Sequence, residues 1–157
     1  MDKLKVLFVC SGNSVRSIMA EAILRSQAGD VFDVYSGGLE VKGINPLTLQ
    51  VLEESGISTW GLQSKTLDEY VGKVNFAYLI TVCSVADIRC PIFMGQGMRL
   101  HWPFADPTFM DGTMEEKLAA FRKTRDEIAE TLDWWLSRQG LGRSYQWAAS
   151  DATLMSL

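Results

Sequence analysis

The sequence predicts an α/β fold, three layers deep, in which a parallel four-stranded sheet is covered by helices on both faces. Two observations carry that expectation. Four short runs are rich in β-branched and aromatic residues, and stretches of helical periodicity lie between them. Strands that alternate with helices pair in parallel through right-handed crossovers, and the crossovers lay helices on both sides of the sheet. A third observation, 47% hydrophobic residues in a chain of 157, fits one core of ordinary size.

Taken in order, "KVLFV" (Lys5–Val9) reads as the first strand. Ser17–Ala28 follows as a helix with Ile18, Met19, Ala22 and Ile23 on one face. "FDVYS" (Phe32–Ser36) is the second strand. The helix Pro46–Ser55 carries Leu49, Val51 and Leu52, opens on a proline and closes at Gly56. "FAYLITV" (Phe76–Val82) and "MRLHW" (Met98–Trp102) are the third and fourth strands. The longest helix, Thr113–Ser137, repeats Met114, Leu118, Phe121, Ile128, Leu132 and Trp135 at helical spacing, and this stripe reads as core. Beyond Gly140 the periodicity is lost. The chain therefore divides into one domain over residues 1–140 and a C-terminal extension, 141–157, with no assigned structure.

The net charge is −4 and the charges are interspersed, so neither a nucleic acid nor an acidic membrane surface is the expected partner. The apolar run at the N-terminus stops at Cys10, short of a signal peptide, and no later run approaches the ~20 residues of a membrane span. The expected compartment is the cytoplasm. Three cysteines, Cys10, Cys83 and Cys90, are too few and odd in number for a secreted disulfide framework, and no two form a C-x-x-C pair. Neither a structural zinc nor another metal is expected.

The chemistry concentrates in "VLFVCSGNSVRS", Val6–Ser17. In a parallel α/β sheet, ligands bind beyond the carboxyl ends of the strands, and Cys10 stands at such an end. Ser11, Gly12, Asn13, Ser14, Val15 and Arg16 then form a turn of mostly small residues that leads into a helix. Successive backbone N–H groups there can curl around an anion at a helix N-terminus. Gly12 gives the backbone freedom, and Asn13 tolerates a left-handed conformation. The fork of Arg16 can reach two oxygens of a tetrahedral oxyanion, and the same positive field stabilises a thiolate at Cys10. No Gly-Lys-Ser/Thr follows the turn, so this is not a Walker loop. Residue type alone would equally make Cys10 a small buried hydrophobe and Asp106-Pro107 a mere turn.

The stretch "CSGNSVRS" resembles the signature of the low-molecular-weight protein tyrosine phosphatase superfamily, Cys-x-Gly-Asn-x-Cys-Arg-Ser. The likeness runs from about Lys5 to Gln139 and includes "EAILRS", "VYSGGLE", "GINP" and Asp106-Pro107. It implies a flavodoxin-like winding with Cys10 as nucleophile, Arg16 holding the oxyanion, Ser17 hydrogen-bonding the thiolate and Asp106 as general acid. Val15 departs from the pattern, since a second loop cysteine is common there. Thr108 and Phe109 depart too, standing where phosphatases of the superfamily often carry tyrosines.

Cys83 and Cys90, in "ITVCSVADIRCPIF", together with "HWPFADP" (His101–Pro107), resemble the thioredoxin-coupled arsenate reductases of this superfamily. That resemblance implies a thiol relay and no cofactor. Cys10 attacks arsenate, Cys83 attacks the adduct and releases arsenite, and Cys90 moves the disulfide to Cys83–Cys90 for thioredoxin to reduce. Phosphate or sulfate would be alternative loop-bound anions. A helix over Ser84–Arg89 would hold Cys83 and Cys90 roughly 10 Å apart along its axis, and a disulfide needs Cα atoms about 4.4–6.8 Å apart. Oxidation is therefore expected to unwind that segment. A hydrolase using only Cys10, Arg16 and Asp106 stays open as the alternative, as does an oxyanion-binding regulator.

Some of the reductases hold potassium behind the loop through residues matching Asn13, Glu21 and Ser36. Their fourth ligand, an aspartate, falls here on Thr66, beside Lys65. A lysine ammonium would serve in place of the ion, so no potassium dependence is expected. His101, the sole histidine, is expected to be packed or hydrogen-bonded in its strand rather than to act as a base or ligand.

Overall fold

The computed structural model describes residues 3–84 and 97–140. The elements run β1 (Leu4–Cys10), α1 (Arg16–Ala28), β2 (Phe32–Gly38), α2 (Pro46–Glu54), β3 (Tyr78–Thr81), β4 (Met98–His101) and α3 (Met114–Arg138), with single 3-10 turns at Leu67–Glu69 and Pro107–Phe109. The four strands are parallel in the order β2-β1-β3-β4. The expected sheet is therefore present, and its order places β1 between the two strands whose following loops can reach it.

β1 is central, and Val6, Leu7, Phe8 and Val9 are fully buried because the sheet is covered on both faces. On one face Phe32 and Tyr78 meet Trp135 of α3, and Leu118, Phe121, Ile128, Leu132 and Trp135 of the expected stripe are buried as core, whereas Met114, in the first turn of the helix, is exposed. On the other, Tyr35 meets Tyr70 and Phe76 edge-on. α3 packs against both α1 and α2. Thr113 opens α3 with a capping box, its side chain accepting from Glu116 N while the Glu116 carboxylate accepts from Thr113 N.

The element bounds differ from expectation by one or two residues, and for β2 and β3 the reason is local. β2 extends through Gly37 and Gly38, because Gly38 pairs with Cys10 in register and donates its N–H to Lys65 O at 2.8 Å. β3 begins at Tyr78; Phe76 is buried and its carbonyl accepts from Gly97 N, outside the ladder. α1 starts at Arg16, one residue early. Cys90 and most of Ser84–Arg89 lie outside the described residues, as does the extension 141–157. No helix among the described residues is long and apolar enough to cross a membrane.

Candidate active site

Cys10 ends β1 at 3% exposure, and residues 11–15 carry the chain from it into α1. The backbone of this loop is polarised. Its carbonyls are taken by a strap that follows β2: Leu39 N donates to Cys10 O (3.3 Å), Glu40 N to Ser11 O (3.0 Å), Lys42 N to Gly12 O (3.1 Å) and Asn45 N to Ser14 O (3.2 Å). The N–H groups of Ser11 through Val15 have no acceptor among the described residues. Carbonyls engaged on one side and donors left open on the other are the makings of an anion cradle.

A small cavity of about 90 Å³ opens here, lined by Cys10, Ser11, Gly12, Ser14, Val15, Arg16, Lys42, Asp106 and Thr108. That is room for a small ion. Arg16 donates from Nη1 to Phe104 O (3.1 Å) and from Nη2 to Asp106 Oδ2 (3.3 Å). Its Nε is buried with no partner among the described residues, a donor that an oxyanion would satisfy. Asp106 is itself held: its Oδ1 accepts from Thr108 N (2.9 Å) and Thr108 Oγ1 (2.7 Å), capping the turn Pro107–Phe109. Acid and arginine thus converge on one pocket from elements ninety residues apart.

Behind the loop the polar groups are satisfied instead. Asn13 is fully buried, at the left-handed φ of 49° that its side-chain type permits. Its Nδ2 donates to Ser17 Oγ (2.8 Å) and Ser36 Oγ (3.0 Å), and its Oδ1 accepts from Lys65 N (2.8 Å). Because each serine oxygen already accepts from Asn13, its single proton is free to point onward. Ser17 donates to Cys10 Sγ (3.2 Å), and Ser36 donates to Glu21 Oε1 (2.5 Å). Arg25 closes the chain by donating to Glu21 Oε2. Burial pushes the Glu21 carboxyl above its usual range, opposed by the Ser36 hydrogen bond and the charge of Arg25.

Of the six loop residues expected, Ser11 to Arg16, all but Asn13 line the cavity with Cys10 and Asp106. Asn13 supports the loop from behind. Cys83 is buried one residue beyond the level of Cys10 on the neighbouring strand, since Val9 pairs with Thr81 and Val82 N donates to Val9 O. Neither Cys10 nor Cys83 is in a disulfide. Lys65 acts on Glu21 through its charge and less than Arg25 does: its backbone N–H serves Asn13, whereas Arg25 touches the carboxylate. Nor do these residues fit a potassium ion. Asn13 Oδ1 is taken by an N–H, Ser36 points its proton at Glu21, and a guanidinium already sits on that carboxylate. His101 Nδ1 is hydrogen-bonded to Thr81 Oγ1 at 2.8 Å, in keeping with a structural role. Lys42 was not foreseen. The topology held its signal, because a loop after β2 beside β1 must pass the end of β1.

Residues 5–146 match the family described as low molecular weight phosphotyrosine protein phosphatase. An arsenate reductase of Halalkalibacterium halodurans is 41% identical over 133 residues, 84% of this chain and 94% of that protein. Among solved structures, an arsenate reductase in a phosphate-binding state superposes with a TM-score of 0.73 at 27% identity, over 86% of this chain and 98% of the other. A thioredoxin-dependent arsenate reductase of Corynebacterium glutamicum gives a TM-score of 0.55 at 26% identity, over 83% of this chain and 62% of that one. With the cysteine, the arginine and the aspartate converging on one anion cradle, the chain belongs to the low molecular weight phosphotyrosine protein phosphatase family.

Proposed function

We propose that the protein reduces arsenate to arsenite through Cys10, Cys83 and Cys90, with thioredoxin as electron donor. The observation that carries this reading is the second buried thiol, Cys83, two residues past the end of the strand hydrogen-bonded to β1 and so near the level of Cys10; a hydrolase would need the anion cradle but not this thiol. The high identity to an arsenate reductase supports the substrate, and the likeness to a thioredoxin-dependent one supports the donor.

An entering arsenate meets the open N–H groups of the loop and competes with Asp106 for the Arg16 fork. The Cys10 thiolate bonds to arsenic, and Asp106 gives a proton to the hydroxyl that leaves as water. The Cys83 thiolate then attacks the Cys10 sulfur. The electron pair of the S–As bond stays with arsenic, which leaves as trivalent arsenite, and a Cys10–Cys83 disulfide forms. Cys90 attacks Cys83, frees Cys10, and the resulting Cys83–Cys90 disulfide is reduced by the dithiol of thioredoxin.

NADPH consumption by the protein with thioredoxin, thioredoxin reductase and arsenate tests the reading, with Cys90→Ser in parallel. Arsenate-dependent consumption that the variant loses is the expected result. Steady hydrolysis of an aryl phosphate by both proteins, with no NADPH consumed, would replace it with the hydrolase that Cys10, Arg16 and Asp106 could form alone.

A further inference from the structure

The pocket mouth carries a cation for which the reaction above has no use. Lys42 is fixed at its root by the hydrogen bond from its N–H to Gly12 O (3.1 Å). Its stem lies across Gly12 so closely that a Cβ built on that glycine would fall 2.7 Å from the Lys42 Cδ. The side chain lines the cavity yet is 61% exposed, and its nearest carboxylate, Glu40 Oε1, is 3.6 Å away and 65% exposed. A pair so exposed binds its ammonium weakly. Arg16 is already matched by Asp106, so Lys42 is the lining cation whose charge the pocket leaves least compensated.

We propose that Lys42 is a specificity-determining residue: it draws tetrahedral dianions to the loop and holds an outward-facing oxygen of the bound ion, while Glu40 competes for its ammonium when the pocket is empty. The inference rests on the reading of this cavity as the anion site, and it names what selects the ion there. Gly12 is bound to its role by the same contact, since any side chain on it would displace the lysine stem.

Alkylation of Cys10, read by mass spectrometry of its peptide, tests the proposal without any turnover. Neutral iodoacetamide and anionic iodoacetate consume the same thiolate, so the ratio of their rates cancels changes in thiol ionisation and reports the potential at the mouth. Inorganic phosphate serves as the protecting anion. Lys42→Gln, which keeps the stem, is expected to lower the iodoacetate-to-iodoacetamide ratio and raise the half-protecting phosphate concentration, each about fivefold. Glu40→Gln is expected to shift both the opposite way, and Lys42→Arg to stay near wild type. The shifts should be large at about 0.01 M salt and nearly vanish at about 1 M, where screening shortens the reach of the charge. Unchanged ratio and protection in Lys42→Gln, with phosphate still protecting the wild type, would overturn the role of Lys42 alone. Phosphate that protects none of the proteins would overturn the anion site itself.

Discussion

The two sides of the loop 11–15 are built on opposite principles. In front, five N–H groups and the Arg16 Nε lack partners among the described residues, Arg16 and Asp106 hold each other, and Lys42 stands exposed at the mouth. Behind, from Cys10 Sγ through Ser17, Asn13, Ser36 and Glu21 to Arg25, each group meets the next. A donor left open costs stability, and a satisfied network supplies the rigidity that keeps it open. The contrast teaches that affinity for an oxyanion is prepared by the face that never touches it.

If that division holds, substitutions in front change rate and leave the fold, and those behind change the fold first. The largest effect is expected from Asp106→Asn, which keeps the Thr108 cap but cannot supply a proton: turnover should fall about 10²- to 10⁴-fold, with the melting temperature nearly unchanged. A large drop in melting temperature would show that the front is structural after all. Next comes Asn13→Ala, which strips the donor from two buried serines and the acceptor from Lys65 N. A loss of about 1–3 kcal/mol is expected, measured by urea unfolding, together with slower alkylation of Cys10. Full stability with lost activity would erase the boundary between the two sides.

The smallest effect sharpens the comparison through pH. Burial raises the Glu21 carboxyl above 4.5, so the folded chain holds a proton that the unfolded chain gives up. The resulting stabilisation is complete below pH 4.5 and is lost as pH rises through the folded value. Glu21→Gln removes that titration, so the melting temperature of the variant should gain on the wild type as pH rises from 4.5 toward neutrality. Parallel curves would mean that Arg25 fully offsets the burial. Because that guanidinium already sits on the carboxylate, melts in potassium and sodium salts should superimpose.

Much of this was legible in sequence, for reasons that differ by element. The strands and α3 announce themselves because burial on two faces, or along one stripe, leaves a periodic trace. The loop reads clearly because Cys10, Gly12, Asn13 and Arg16 are each needed at a fixed spacing on one short segment. Lys42 and Arg25 were missed because their roles depend on pairings across elements: Lys42 on the strap crossing Gly12, and Arg25 on Glu21 facing Ser36. The bounds of β2 were missed because glycine carries no strand propensity, yet Gly38 is there for its backbone.

Gly38 also sets the terms on which this pocket could be redesigned. A Cβ at that position would meet Glu40 O at 2.7 Å and Asn13 N at 2.8 Å, so a side chain there pushes strap and loop apart together. A library aimed at new oxyanions is best spent at Lys42 and Thr108, whose side chains reach the cavity from exposed segments. Diversity placed at Asn13 or Gly38 would return mostly inactive clones, whatever the ion offered to them.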